Sequence, residues 1–165
     1  MPRTSLKDML DRAYVCGYAV GAFHLDNMEF CQGLFAAAAA ERSPLILQVT
    51  PKGLAHTGQV YIHKLLEAGL AEHDIPVCLH LDHGDDVDFC KRCIDDGFDS
   101  VMFDGSHLPF EDNVARTADV VRYAHDRGIW VEAELGRLDG EAGGSTDTDQ
   151  AMEFVERTGC DFLAV

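Results

Sequence analysis

PVCLHLDHG, residues 76–84, is the stretch on which the fold turns. In an extended strand successive side chains point to opposite faces. Val77, Leu79 and Leu81 therefore share one face, and Cys78, His80 and Asp82 share the other. The first face is apolar throughout, as packing against helices requires, and the second carries an ionisable group to its last position. Working outward, the same split recurs. Strands are expected at 18–23, 44–50, 76–82, 100–104, 129–135 and 161–165. Leu45, Leu47 and Val49, then Val101 and Phe103, then Val131, Ala133 and Leu135 extend the apolar set. The opposite set ends on His24, Thr50, Asp82, Asp104 and Glu134, with Gln48, His80, Ser100 and Glu132 behind them.

Helical patterns lie between these runs, near 28–42, 58–72, 86–96, 111–127 and 149–158, after a first helix near 5–16. Gly17, Ser43 with Pro44, Asp74 ahead of Pro76, Gly97, Gly128 and Gly159 close them. Strands alternating with longer helices are the mark of βα units in a parallel sheet. An unpartnered polar group in an apolar interior costs roughly 2–7 kcal/mol, so the strand-end groups must face one another, water or a metal. Inward side chains at the C-terminal ends of the strands line the mouth of a (β/α)8 barrel. An open doubly wound sheet collects ligands only at its switch point and does not explain a polar group ending strand after strand. The expected fold is α/β, a (β/α)8 TIM barrel. Five βα units and a sixth strand are counted here, against roughly 250 residues for a whole barrel. On that count residues 1–165 are the N-terminal part of a single barrel whose C-terminal strands are absent. EAGGSTDTD at 141–149 reads as a mobile acidic loop.

Composition excludes several functional classes. Of 165 residues, 47% are apolar and 25% charged, ordinary globular values that rule out a disordered or collagen-like chain. The apolar stretch from Leu34 to Ala40 is too short to span a bilayer, and the N-terminus has no signal-peptide run. A soluble, cytoplasmic protein with no membrane partner is expected. Thirteen Lys and Arg against 29 Asp and Glu give a net charge of −16, which repels phosphate backbones, so no nucleic-acid partner is expected either. The six cysteines are scattered among apolar residues and read as free, mostly buried thiols. Cys90 and Cys93 make a CxxC on a helical pattern, but no second pair accompanies it, and no metal or redox role is assigned to it.

Three strand ends carry candidate chemistry. His80, Asp82 and His83, followed by Gly84, form the densest constellation: a neutral imidazole is a good zinc ligand, and a neighbouring carboxylate serves as general acid/base or as the partner that orients it. The alternative is a His–Asp pair that satisfies strand-end backbone groups. Asp104, Gly105, Ser106 and His107 supply a second carboxylate, with an ordinary Asp-Gly turn as the alternative. Glu132 and Glu134 put two acids on one strand face, for which a metal-dependent site is the economical explanation. Of the lysines, Lys7, Lys64 and Lys91 fall on helices and Lys52 in the loop after the second strand. None holds the desolvated inward position that Schiff-base chemistry requires.

Taken together and in order, GYAVGAF, RSPLILQVTP, HLDHGDD, FDGSHLPFEDNV, VEAELGRLDG and FVERTGCDFLAV resemble the class II, zinc-dependent ketose-bisphosphate aldolases, in their tagatose-bisphosphate/fructose-bisphosphate branch. The resemblance covers essentially the whole chain. It implies a carbon–carbon lyase of carbohydrate metabolism acting on a phosphorylated sugar with Zn2+, homo-oligomeric when full length. It also implies that Asp82 is the catalytic proton donor and acceptor and His83 the first zinc ligand. Asp104 and Glu134 match acidic positions that bind a second or alternative metal position, and Thr50 and His24 fall among substrate contacts.

The chain departs from the family pattern at three places. His24 stands where the family has Asn, which also makes it a possible extra ligand. The loop after Glu134 is short, so the match of Glu141 to the family's loop carboxylate is open. The chain ends at Val165, ahead of the family's GTAHG-like segment, of its later zinc histidines and of its glycine-rich phosphate loops. The 165-residue chain alone is therefore expected to lack useful activity. Two other classes remain open at this point: a non-catalytic barrel fragment or partner subunit, and a metal-dependent barrel hydrolase.

Overall fold

The structure, a computed structural model, describes residues 3–136 and 147–165. Glu141, with residues 141–146 of the expected acidic loop, lies outside the described residues. The chain divides into two compact units, Met1–Asp82 and His83–Val165.

The first unit runs α1 (Leu6–Cys16), β1 (Gly21–His24), α2 (Met28–Glu41), β2 (Leu45–Val49), α3 (Pro51–Thr57), α4 (Gln59–Glu72) and β3 (Val77–Gly84), the last two residues of β3 belonging to the second unit. All pairings are parallel. Gly21 lies opposite Leu45 and His24 opposite Gln48, while Leu45 lies opposite Val77 and Val49 opposite Leu81. Leu45, Leu47, Val49, Val77, Leu79 and Leu81 are at most 2% exposed, as their shared parity requires. The second unit continues through α5 (Val87–Asp95), β4 (Ser100–Phe103), α6 (Phe110–His125), β5 (Trp130–Glu134), α7 (Thr148–Thr158) and β6 (Phe162–Ala164). Ser100 lies opposite Trp130, and Glu134 opposite Ala164. Val101, Phe103, Val131 and Ala133 are fully buried.

Helix starts follow from capping chemistry. Ser5 accepts a backbone N–H from Asp8, Asn27 from Phe30, Asp86 from Phe89 and Asp147 from Asp149, each cap contributing about 1 kcal/mol. Thr50 does the same for Gly53 and is followed by Pro51 at the first helical position. This corrects the expectation of a plain loop after the second strand. Residues 51–57 form α3, and Lys52 stands in its first turn. Seven residues are too few to show a helical period, and Pro with Gly in one short run imitates a turn. β3 also reaches Gly84, two residues beyond its expected end.

All six cysteines are free, and all but Cys16 are buried. Burial pushes the Cys90 and Cys93 thiols up to about 12. Among the described residues no helix is long and apolar enough to cross a membrane.

Candidate active site

In the first unit three strands contribute to one cluster. Asp82, near the end of β3 and 8% exposed, has its Oδ2 atom 2.9 Å from Gln48 Nε2 and 3.0 Å from His24 Nε2. The amide of Gln48 donates. An ionised carboxylate only accepts, so His24 presents Nε2–H to it, and the 3.4 Å approach of Gln48 Nε2 to the same ring is the weaker contact. Two donors on one oxygen help to fix the rotamer of this side chain.

The second unit holds a cluster of the opposite balance. His83 Nδ1 lies 2.9 Å from Asp104 Oδ2 and 3.5 Å from Glu134 Oε2. Asp104 follows β4, and its other oxygen accepts from the Ser106 backbone N–H at 3.0 Å and from the Ser106 hydroxyl at 2.7 Å. Burial tends to raise the Asp104 carboxyl, but the donors from Ser106 and His83 outweigh it and hold it below the usual carboxylate range. His83 adopts φ 50, the left-handed region that non-glycine residues enter at a cost of about 1–3 kcal/mol. This breaks the strand alternation at its position. Parity alone would send its ring to the packed face of Leu79 and Leu81; instead the side chain is 51% exposed.

One ligand atom from each of His83, Asp104 and Glu134 lies within 4.8 Å of the other two. Two carboxylates share a single imidazole, an acceptor-rich set that matches the nitrogen and oxygen preferences of a divalent cation such as Zn2+. Three protein ligands are also the usual number at a catalytic zinc that keeps one position open. The donor chemistry therefore fits such an ion. Glu132 is not one of the three, so the metal reading of the Glu132 and Glu134 pair narrows to Glu134.

The expected residues are thus brought together in two sets, His24 with Asp82 and His83 with Asp104 and Glu134. Thr50 belongs to neither; its hydroxyl oxygen caps α3. Two participants were not singled out from the sequence as site residues. Gln48 has a signal, being the one amide in the apolar run LILQV, whereas Ser106 looks like any turn serine.

Residues 4–165 match the family model described as fructose-bisphosphate aldolase class-II. The chain is 48% identical over 172 residues to a fructose-bisphosphate aldolase of Giardia intestinalis, covering 100% of this chain and 53% of that protein. It is 46% identical over 175 residues to one of Staphylococcus epidermidis, covering 99% of this chain and 61% of the relative. The chain therefore spans between half and two thirds of the length of these curated relatives. Among solved structures, the YdjI aldolase of Escherichia coli K12 superposes with a TM-score of 0.87 at 34% identity, over 99% of this chain and 61% of that one. The fold is α/β, part of a (β/α)8 barrel, with six strands described against the eight of the complete architecture. With its family model matched from residue 4 to residue 165, the chain belongs to the class II fructose-bisphosphate aldolase family.

Proposed function

We infer that the full-length protein is a metal-dependent aldolase that reversibly cleaves a ketose 1,6-bisphosphate to dihydroxyacetone phosphate and glyceraldehyde 3-phosphate. The observation that carries this reading is the succession Asp82, His83: a carboxylate clamped by two donors, followed in the chain by the first member of an acceptor-rich triad. Asp82 takes the proton from the hydroxyl on the carbon at the bond to be broken. That oxygen becomes the aldehyde carbonyl as the carbon–carbon bond opens, and the bonding pair stays with the other three-carbon half, whose carbon takes up a proton from solvent to give dihydroxyacetone phosphate. A zinc ion held by His83, Asp104 and Glu134 would supply Lewis-acid polarisation of the ketose carbonyl beside that pair. In condensation Asp82 returns its proton to the alcohol oxygen being formed.

His24, with its side chain 49% exposed beside Asp82, meets the substrate in this reading. Thr50 does so through its hydroxyl, whose oxygen also accepts from Gly53. The names of the Giardia and Staphylococcus relatives support fructose 1,6-bisphosphate over its tagatose epimer. The reading further takes residues 1–165 as the N-terminal part of a single barrel, in a cytoplasmic homo-oligomer of glycolysis without nucleic-acid or membrane partners. The net charge of −16 supports the last point.

The test is to assay the full-length protein with each sugar bisphosphate, coupling triose phosphate release to NADH oxidation. Cleavage is expected to vanish after dialysis against EDTA and to return with zinc chloride. Turnover that survives complete metal removal overturns the reading, as does a zinc-loaded protein that cleaves neither sugar.

A further inference from the structure

Asn113 is a polar side chain that the chemistry above does not use. It lies on α6, is 1% exposed, and bridges the supports of both carboxylates in the second unit. Its amide nitrogen donates to the main-chain carbonyl of Glu134 at 2.9 Å. Its carbonyl oxygen accepts from the hydroxyl of Thr117, one helical turn on and fully buried, at 3.0 Å. These partners fix which end of the amide points where. The same oxygen packs closely against Gly105 in the turn that follows Asp104, where a Cβ atom would overlap it. That turn delivers the Ser106 donors that aim Asp104.

We propose that Asn113 is a positioning residue for the cation site, holding the end of β5 and the turn after β4 at the separation that lets Glu134 and Asp104 reach His83 together. A buried amide must satisfy its donors and acceptor or lose stability, so an amide here rather than a leucine answers a need at both strand ends. The inference rests on the metal reading of the preceding section. Residues that support first ligands typically change metal affinity about 10- to 100-fold when removed, and Asn113 supports two ligands at once.

The experiment titrates the metal-free full-length protein with cobalt chloride, reading the visible ligand-field bands and the dissociation constant. Asn113→Ala is expected to weaken cobalt binding about ten-fold or more and to change the band shape. Thr117→Val leaves the amide in place but frees its carbonyl, and is expected to weaken binding less, in the same direction. Thr158→Val is the control: its hydroxyl is also buried but donates to Phe154 on α7 and accepts from the Cys160 N–H, so it lowers the melting temperature and leaves cobalt affinity unchanged. Wild-type affinity and bands in Asn113→Ala overturn the proposal. If that variant does not fold, unchanged affinity in Thr117→Val does so. Equal weakening in Thr158→Val overturns it too, since general destabilisation would then suffice. Wild-type protein that binds no cobalt removes the metal reading itself, and this inference with it.

Discussion

The two clusters use the same residue types at strand ends, yet they are built for different tasks. In the first unit one carboxylate, Asp82, receives an imidazole and an amide on a single oxygen. In the second, one imidazole, His83, is shared between the carboxylates of Asp104 and Glu134. Donors outnumber acceptors in the first, which orients an anion and leaves it in place as a proton acceptor. In the second, two negative groups are held close with one ring between them. Such a set gains from a cation, because like charges in a partly buried site repel at short range. On the proposed reading, the number of carboxylates around one imidazole, rather than the mere presence of His and Asp, separates a proton-transfer group from a ligand set.

Removing the central member of each cluster breaks this contrast most severely. Asp82→Ala in the full-length protein is expected to lower turnover about 10²- to 10⁴-fold, with zinc content by elemental analysis unchanged. His83→Ala is expected to lower both, losing zinc along with activity. The pair is decisive because the effects should dissociate: an Asp82→Ala protein with normal turnover, or a His83→Ala protein with full metal occupancy, removes the corresponding role.

A milder change sharpens the comparison. Gln48→Leu deletes one of the two donors on Asp82 Oδ2 while keeping the side chain's approximate size. Hydrogen bonds to charged groups contribute about 1.5–3 kcal/mol, so turnover is expected to fall roughly ten- to hundred-fold, with zinc affinity unaltered. A loss of zinc affinity in this variant would mean that the two clusters do not act separately.

How much of this was legible beforehand follows from what each residue depends on. The packed faces could be read because the face a strand residue occupies depends only on parity, and Leu45, Leu47, Val101 and Val131 obey it. Asp82 and Glu134 could be read for the same reason, as ionisable groups ending the opposite face. The orientation of His83 could not be read from that pattern. Parity assumes strand backbone at every residue, and the left-handed φ of 50 at this one cancels it. Gln48 needed the register that places β2 between β1 and β3, which pattern alone does not supply. Asn113 stands in FEDNV beside two exposed acids, Glu111 and Asp112, and only the packed structure separates it from them. Likewise α3 is a helix because of a cap and a proline at its start, not because of any period within it.

The smallest expected effect concerns acid, measured with EDTA present so that the carboxylates act without a cation. Ser106 and His83 hold the folded-state pKa of Asp104 below its ordinary value, against a burial effect of opposite sign. In the unfolded chain that carboxyl titrates near its reference pKa of about 3.9. Over the window between the two values the unfolded state binds more protons, so stability rises with pH there. The Asp104 contribution is therefore complete above about pH 5, declines as the pH falls past the unfolded value, and is gone once the folded carboxyl is protonated. Ser106→Ala removes the hydroxyl donor but keeps the backbone one, and Asp104→Asn removes the titration altogether. Melting temperatures between pH 5 and pH 3, on the scale of the expected titration, should fall least steeply in Asp104→Asn, with Ser106→Ala between it and the unaltered protein. Parallel slopes in all three would show that the second cluster is not held together by donors to Asp104, and that its geometry depends on the cation instead.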